Sequence, residues 1–450
     1  MPAPAGPVVA AVDFGASSIR VCRVDLGTRP PALEVVHRHA HAPVADGRGR
    51  LRWDWDRLVT EAERGLDAAL AAGPLASIGV DTWGVDYGLL DARGDLVAPP
   101  FSYRDDRTAG YAAVVEAAGG AAALYAATGV QLLPINTLFQ VAAHDRDELA
   151  RARYLLMLPE LVVHHLTGAV VGEPTSAGTS GLVDISTGRW SDDLAAVAGI
   201  DPTRLPLLKP AGTRVGSWRG VPVHLVGGHD TASAVVAMGA APGPGAAFVS
   251  AGTWLLVGRE QPGPDLSEGA RAADFGNEIG ALGGVRFLTN LAGAWLIEGC
   301  RAAWGDPPVD DLMAAAAGWA GDPPLLDVAD GRFLHPSDML AEVTAALGLR
   351  VDAAPPLVVA AIVASQAAGT AAVLDRLGGV TDVAVFGGGG RSALYREALA
   401  ARAGVPVAQG PVEAAALGNA LVQGIALGRY ADLADARAHL APAAVAAGER

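Results

Sequence analysis

The chain has 450 residues, of which 51% are hydrophobic and 18% charged, a composition that supplies core for two or three globular domains. Its net charge of −15 argues against a nucleic-acid or membrane partner and favours a small-molecule ligand. Its two cysteines, Cys22 and Cys300, exclude a disulfide framework and a thiolate metal site, and its start lacks the basic region of a secretion signal. We therefore expect a cytoplasmic protein, monomeric or homodimeric.

Lysine usage excludes several nucleotide-binding motifs. Lys209 is the only lysine among 33 lysines and arginines, and its surroundings, LPLLKPAG, fit neither a Walker-type loop nor the strand lysine of protein kinases. The FGGGGRS run at residues 386–392 lacks the third glycine of the Rossmann fingerprint. A phosphate site in this chain must therefore use backbone amides, hydroxyls, arginine and a metal ion.

The first predicted elements form a β-hairpin. An apolar strand over Val8 to Val12 leads to a turn at Asp13 to Ser18 and a second strand over Ile19 to Leu26. A third strand is predicted over Leu33 to Ala40. Because small residues at a hairpin tip let successive amide groups approach an anion, this tip is a candidate phosphate site.

A helix and a buried strand come next. The helix is predicted over Asp54 to Ala72 and the strand over Ala76 to Val80. The strand runs into DTWGVD at residues 81–86, where two carboxylates and an indole meet at a strand end, the usual position of ligand groups in α/β sheets. The alternating charges of residues 103–108 predict a salt-bridged surface segment.

Residues 226–254 contain the candidate reacting group. An Asp beside two glycines precedes a helical Ala/Val run, a Gly/Pro break at Gly239 to Gly245 and another strand. A carboxylate on such a loop, just before an interdomain break, can face a cleft whose opposite wall comes from the next domain. Asp230 is therefore the candidate; in the alternative, it only caps the helix that starts near Thr231. The break is the predicted hinge between the domains.

An internal repeat connects the two halves. The hairpin VAAVDFGASSIRVCRV has a counterpart in AAFVSAGTWLLVG, with Gly252 matching Gly15 at an offset of 252 − 15 = 237 residues. Two such tips can face each other across a cleft and hold a phosphate chain from both sides. Later, Val383 to Phe386 is predicted as a strand, Gly387 to Gly390 as a flexible turn open to a planar ligand such as adenine, and Arg391 to Arg402 as a helix.

The order of several motifs resembles the FGGY family of carbohydrate kinases, part of the actin-like ATPase superfamily, from about Val8 to Gly428. These motifs are VDFGASS, DTWGVDYGLLD, YRDDRT, LPELVVHHLTG, EPTSAGTSGLVDI, GGHDTASAV, SAGTW, LTNLAGAWLIEG and FGGGGRSALYREALA. Within the family, DTWGVD, HDTASAV and PVEAAALGNA are typical of rhamnulokinases. The resemblance implies an α/β fold of two ribonuclease-H-like domains related by the repeat, with a ligand cleft between them. Residues 1–241 would form the sugar-binding side with the catalytic Asp, and residues 242–450 the nucleotide-binding side.

The resemblance also implies a reaction. It is the ATP-dependent phosphorylation of the 1-hydroxyl of L-rhamnulose, giving L-rhamnulose 1-phosphate and ADP in rhamnose catabolism, with ATP and Mg²⁺ as cofactors. One alternative is a kinase for another ketose, such as L-fuculose or L-xylulose. A second is a non-enzymatic, actin-like sensor that binds nucleotide and sugar. A sensor has little need of a carboxylate at Asp230.

Roles for single residues follow from the same resemblance. Asp230 would be the catalytic base, and Asp13 would hold Mg²⁺ through water. The implied sugar contacts are Gly84, His229, Thr231 and Asn290. The implied nucleotide contacts are Ala16, Ser17, Ser18, Ile19, Arg20, Thr253, Glu298 and Gly389. The chain departs from the family pattern at Ile19, where glycine is common, at Glu298, where an amide occurs, and at Ser392, where asparagine occurs.

Overall fold

Two six-stranded sheets, one from each half of the chain, form the frame of the molecule in a computed structural model. The structure describes residues 6–239, 243, 245–334 and 336–441. The predicted hinge at Gly239 to Gly245 and the predicted boundary after residue 241 therefore lie largely outside the described residues.

The first half contains the six strands of the first sheet and several short strands outside it. The strands are β1 (Val8–Gly15), β2 (Ser18–Asp25), β3 (Ala32–Ala40), β4 (Val44–Ala45), β5 (Leu51–Arg52), β6 (Ser77–Thr82), β7 (Tyr87–Leu90), β8 (Tyr154–Met157), β9 (Val183–Asp184), β10 (Arg189–Trp190), β11 (Arg214–Trp218) and β12 (Val221–His224). The helices are α1 (Trp55–Ala71), α2 (Tyr111–Ala117), α3 (Ala121–Thr128), α4 (Thr137–Ala142), α5 (Arg146–Arg151), α6 (Leu158–Thr167), α7 (Pro174–Ala177), α8 (Asp192–Ala198) and α9 (Asp230–Val236). Single 3-10 turns lie at Asp106–Gly110 and Pro202–Arg204.

The second half is richer in helices. Its strands are β13 (Ala246–Ala251), β14 (Trp254–Gln261), β15 (Gly276–Ile279), β16 (Val285–Ala292), β17 (Asp382–Phe386) and β18 (Val407–Gln409). Its helices are α10 (Glu268–Ala272), α11 (Trp295–Arg301), α12 (Val309–Ala317), α13 (Met339–Ala346), α14 (Pro355–Leu377), α15 (Gly387–Gly390), α16 (Ala393–Ala403), α17 (Ala414–Ala426) and α18 (Leu433–Ala438). Further 3-10 turns lie at Ala302–Trp304 and Gly331–Phe333.

The two sheets have corresponding topologies, which confirms the predicted α/β fold with a repeated hairpin. The first sheet has the order β11-β12-β6-β1-β2-β3, and the second the order β15-β16-β14-β13-β17-β18. In the first, β1 pairs with β2 antiparallel and with β6 parallel. In the second, β13 pairs with β14 antiparallel and with β17 parallel. Both hairpin tips therefore lie at the same end of equivalent central strands.

Helices cover both faces of the first sheet, which is why β1 is apolar on both sides. Helices α1 and α6 pack on one face, and α17 packs on the other, although α17 comes from the end of the chain. A Cβ atom at Gly418 of α17 would lie 1.7 Å from the carbonyl oxygen of Ser233, so only glycine permits this close crossing with α9. The C-terminal segment thus closes the first domain and reaches the base of the cleft.

Helix α14 belongs to the core of the second half. It is 23 residues long and apolar enough to cross a membrane, yet 78% of its most apolar stretch is buried inside the protein. Its residues pack beneath the second sheet together with those of α11, α13 and α16. Burial on this scale explains the apolar composition of the helix without a bilayer.

Two predicted local structures are wrong in detail. The predicted turn at Asp13 to Ser18 is shorter, because Asp13 and Phe14 continue β1 and only Ala16 and Ser17 form the turn. The predicted flexible turn at Gly387 to Gly390 is the short helix α15. Glycine is needed at Gly387, because a Cβ atom there would lie 2.8 Å from the carbonyl oxygen of Ala251.

Candidate active site

A cleft of about 1300 Å³ lies between the two halves and is lined by both hairpin tips, the start of α9, and helix α15. Most of the residues assigned to the site from the sequence line it. These are Asp13, Ala16, Ser17, Ser18, Arg20, Gly84, His229, Asp230, Thr231, Thr253, Asn290, Glu298 and Gly389. Ile19 is the exception: its side chain is completely buried in the core because it points to the opposite face of β2 from Ser18 and Arg20. A nucleotide contact through the Ile19 side chain is therefore excluded.

Asp230 is the first residue of α9 and has 26% of its side chain exposed in the cleft. The residue that precedes the helix is His229, and no side chain caps this helix end. The Asp230 carboxylate accepts a hydrogen bond from the Thr231 hydroxyl (Thr231 Oγ1 to Asp230 Oδ1, 3.2 Å). The alternative in which Asp230 serves only as a helix cap is wrong, and the carboxylate is available to a ligand.

The backbone before Asp230 is fixed by hydrogen bonds to buried polar groups. The Gly228 N–H donates to Glu173 Oε2 (3.1 Å), and the His229 N–H donates to Thr175 Oγ1 (3.1 Å). On the other side, the Thr82 N–H donates to the Gly228 carbonyl (2.8 Å). Burial raises the pKa of Glu173 to about 7. These contacts hold the loop in one position, as a reacting group requires.

His229 connects this loop to the second half. Its Nδ1 lies 3.2 Å from Glu278 Oε2 and 3.1 Å from an Arg286 guanidinium nitrogen. Glu278 and the fully buried Arg286 form an ion pair at 2.9 Å. Burial acts to raise the pKa of Glu278, but the charges of Arg286 and His229 outweigh burial and lower the pKa from its usual value to about 2. Sequence patterns gave no sign of these two residues, which reach the site only through the tertiary fold.

Two buried carboxylates lie beneath the first hairpin tip. Asp13 of β1 and Asp81 of β6 are register partners, and neither is exposed. Burial raises the pKa of Asp13 to about 6, with Arg20 opposing and Asp230 adding to the effect. Burial, with Asp13 beside it, also raises the pKa of Asp81 well above its usual value. The charge of Asp230 thus acts on both buried carboxylates, which places the pair in the electrostatic field of the candidate base.

The donor set beneath the tip fits Mg²⁺ held through water. Asn419 donates a hydrogen bond to Asp81 Oδ2 (2.6 Å), while Asp81 Oδ1 is buried and lacks a partner among the described residues. Carboxylate oxygens are preferred ligands of Mg²⁺, which usually retains several of its waters. No group of three His, Cys, Asp or Glu side chains in the described part of the chain is close enough to bind a metal directly.

The opposite wall of the cleft is formed by the second hairpin tip and the glycine helix. Three residues separate the paired Ala251 and Leu255 at this tip, against two between Gly15 and Ser18 at the first. A Cβ atom at Gly389 would lie 2.7 Å from the Cβ of Ala251, so α15 lies directly against the tip. This wall therefore presents backbone at close range, as a bound nucleotide requires.

Several cleft residues were missed by sequence reasoning. The segment at residues 103–108 was predicted to be exposed, but Tyr103 and Asp105 are buried, because Asp105 accepts hydrogen bonds from the N–H groups of Leu51 and Arg107. Arg104 from the same segment lines the cleft, with its guanidinium carbon 4.9 Å from the ring centre of Trp295 across the cleft. Two signals were available for this segment: the aromatic residue beside a charged run, and its place in the YRDDRT motif.

Glu413 is a further cleft residue, to which sequence reasoning gave no role although it lies in the PVEAAALGNA motif. It precedes α17 and forms ion pairs with Arg20 (3.2 Å) and Arg38 (2.6 Å). Arg20 also pairs with Asp13 (2.8 Å), so the end of the chain contributes a charge to the first hairpin. Lys209 is not among the residues that line the cleft.

Comparisons with known proteins agree with this architecture. The chain is 36% identical to a rhamnulokinase of Klebsiella pneumoniae (strain 342) and 35% identical to one of Enterococcus faecalis, in each case over 95% of this chain and 91% of the relative. Among solved structures, a ligand-bound xylulose kinase from Lactobacillus acidophilus superposes with a TM-score of 0.75 at 15% identity, covering 95% of this chain and 91% of that one. This superposition confirms the predicted actin-like ATPase fold.

Family assignment covers both halves separately. Residues 8–237 match the N-terminal domain of the FGGY family of carbohydrate kinases, and residues 247–427 match its C-terminal domain. The two matched ranges contain the two sheets and all the cleft residues assigned from the sequence. The protein is therefore a carbohydrate kinase that belongs to the FGGY family.

Proposed function

We propose that the protein transfers the terminal phosphoryl group of MgATP to the 1-hydroxyl of L-rhamnulose, giving L-rhamnulose 1-phosphate and ADP in rhamnose catabolism. The observation that carries the proposal is the carboxylate of Asp230, which does not cap its helix and lines the same cleft as the two hairpin tips. The choice of sugar is supported by the similarity to rhamnulokinases over 95% of the chain.

Asp230 acts as the general base in this proposal. It accepts the proton of the sugar hydroxyl as that oxygen attacks the phosphoryl group. Its loop is held by Glu173 and Thr175, so the carboxylate meets the hydroxyl without rearrangement of the backbone. The sugar lies against Gly84, His229, Thr231 and Asn290, which line the same part of the cleft.

The two tips hold the nucleotide. Backbone amides and hydroxyls of Ala16, Ser17, Ser18 and Thr253 bind the phosphates, and Gly389 allows the adenine to lie against the backbone. Arg20 and Glu298 lie at the edges of this region, where Glu298 pairs with Arg301 at 2.6 Å. Asp13 would hold Mg²⁺ through water, and the bound ion would supply positive charge to the transferring phosphoryl group. The protein itself mainly positions the reactants and excludes water.

Alternatives differ in the sugar rather than in the site. L-fuculose and L-xylulose are the competing ketoses, because discrimination by a single hydroxyl depends on side-chain placement around Asn290 and His229. A nucleotide- and sugar-binding sensor does not account for a carboxylate at Asp230 that does not cap its helix and whose only side-chain hydrogen bond comes from the neighbouring Thr231, among the described residues. We place the enzyme in the cytoplasm, consistent with the absence of disulfides between its two buried cysteines.

A coupled ADP-release assay tests the proposal. The purified protein is given MgATP and, separately, L-rhamnulose, L-fuculose, L-xylulose, D-xylulose, L-ribulose and glycerol. We expect kcat/KM for L-rhamnulose to exceed that for each other acceptor by at least about 10-fold, the discrimination available from one well-placed polar contact. Preference for another ketose would replace L-rhamnulose by that sugar, and no turnover with any acceptor would reject the function.

A further inference from the structure

Gln131 of the first half is hydrogen-bonded to Asn290 of the second half, a residue that we propose contacts the sugar. It lies between α3 and α4 and is 6% exposed. Its Oε1 accepts hydrogen bonds from both the backbone N–H and the side-chain Nδ2 of Asn290 (2.8 and 2.9 Å). Its Nε2 donates to Asp274 Oδ2 (2.6 Å). Both ends of this amide are therefore bound to the second half.

These contacts determine which way each amide points. The backbone N–H of Asn290 is only a donor, so the atom of Gln131 that faces it must be the oxygen. The same oxygen faces the side chain of Asn290, which must therefore present its NH₂ group to Gln131. The side-chain carbonyl oxygen of Asn290 (Oδ1) makes no hydrogen bond within the described residues, and Asn290 lines the cleft.

Asp274 supports this orientation from the far side. Its backbone is in the left-handed region (φ 61°), and its carbonyl accepts a hydrogen bond from Thr289 Oγ1 (2.9 Å). A non-glycine residue in this region is held there by its surroundings. The carboxylate that receives the Gln131 NH₂ group is thus fixed independently of the cleft.

We propose that Gln131 is a positioning residue for sugar recognition, which orients the Asn290 amide so that its carbonyl oxygen accepts a hydrogen bond from a sugar hydroxyl. This inference rests on the proposed function, in which Asn290 contacts the sugar. It makes the site selective for a ketose with a hydroxyl donor at that point, because an analogue without the hydroxyl leaves the carbonyl oxygen unpaired. Gln131 also lines the cleft, and in this proposal it acts on the sugar through Asn290.

A double-mutant cycle tests the inference. Gln131→Ala should raise KM for L-rhamnulose by about 10-fold or more, while kcat stays within about 3-fold of wild type and KM for ATP is unchanged. This pattern is expected because the lost hydrogen bond to the sugar stabilises the bound substrate and the transition state equally. In an Asn290→Ala background, Gln131→Ala should change the sugar KM by less than about 2-fold. Gln131→Glu keeps the acceptor for both Asn290 donors but sets a carboxylate against Asp274. The double variant Gln131→Glu/Asp274→Asn keeps a donor on that side and should restore part of the affinity.

Asn277→Ala is the matched control. Asn277 also connects the halves, donating from Nδ2 to the carbonyls of Gly129 (3.3 Å) and Asp265 (2.9 Å), but has no contact with Asn290. Its sugar KM should stay near the wild-type value. The inference is overturned if Asn277→Ala raises the sugar KM as much as Gln131→Ala, or if the Gln131→Ala effect persists without Asn290. A wild-type protein that phosphorylates no ketose refutes the proposed function instead.

Discussion

Asp13 and Asp81 are register partners on the adjacent parallel strands β1 and β6, and both side chains are completely buried. Two buried carboxylates placed side by side oppose each other's ionisation and weaken the fold. Asn419 and Arg20 supply only part of the compensation, since Asp81 Oδ1 has no partner among the described residues. Such an arrangement is typical of a functional site, and we propose that this one binds a cation beside Asp230.

The first prediction concerns the stability cost of this pair. Asp81→Asn removes one buried charge and should stabilise the ligand-free protein by about 1 to 3 kcal/mol at pH 8, while lowering kcat by at least about 10-fold. Urea unfolding without metal and the coupled assay measure the two effects. A variant that is both less stable and fully active would contradict the assignment.

The second prediction concerns nucleotide affinity. Because Lys209, the only lysine, lies outside the cleft, metal charge must take the place of a phosphate-binding lysine. We expect the Kd for ATP to rise by about 10-fold or more when Mg²⁺ is replaced by EDTA. Isothermal titration calorimetry measures both values. Lys209→Met serves as the control and should bind MgATP normally; equal affinity in EDTA and Mg²⁺ would be incompatible with the proposal.

The third prediction is a pH dependence of stability. Burial raises the pKa of Glu173 from 4.5 to about 7, so the folded state keeps this proton to higher pH than the unfolded chain does. The stabilisation of the fold by the protonated Glu173 side chain is therefore complete below about pH 4.5 and is lost as the pH rises to about 7. Glu173→Gln should gain about 1 to 3 kcal/mol relative to wild type between pH 5 and pH 8.

Chemical unfolding at the two pH values measures this gain. Glu116→Gln is the control, because Glu116 is an exposed residue of α2 with no ion pair among the described residues. Its stability relative to wild type should be the same at pH 5 and pH 8. If Glu173→Gln behaves in the same way as this control, the raised pKa of Glu173 is wrong.

The fourth prediction concerns the aromatic wall of the sugar side. Asp86 Oδ2 accepts hydrogen bonds from the indole N–H groups of Trp53 (2.6 Å) and Trp83 (2.9 Å), and Trp83 lines the cleft. Asp86→Ala leaves both buried donors unpaired and should cost about 2 to 4 kcal/mol of stability, with a higher sugar KM. Asp86→Asn keeps an acceptor and should lose less. Unchanged near-ultraviolet circular dichroism and KM in Asp86→Ala would refute this role.

Local patterns in the sequence were sufficient for part of this account. The two hairpins and Asp230 were predictable because strand alternation, small tip residues and a glycine-flanked carboxylate are local signals. Gln131 and Glu278 were not, because their partners Asn290 and His229 lie far away in the chain, on the other half. Such contacts exist only after the sheets have packed.

Charge patterns were the least informative signal. The run at residues 103–108 was assigned to the surface because it alternates in sign, yet Asp105 and Arg107 pair with each other inside the protein at 3.5 Å. Ile19 was assigned to the nucleotide from its place in a motif, whereas the period of two along β2 turns its side chain into the core. The direction in which the side chain points, rather than its position in the motif, distinguishes Asp105, Arg107 and Ile19 from their cleft-lining neighbours.

The role of Asp230 as the base in a sugar kinase is tested most directly by the activity of Asp230→Asn toward L-rhamnulose. The substitution keeps the shape of the side chain, so the thermal midpoint and MgATP affinity should match wild type. Asp67→Asn, at a surface ion pair with Arg219, is the matched control for loss of one carboxylate and should retain full activity. We predict that kcat for Asp230→Asn falls by at least about 10²-fold, as expected on removal of a general base. Turnover near the wild-type rate in a folded, nucleotide-binding Asp230→Asn protein would contradict the account.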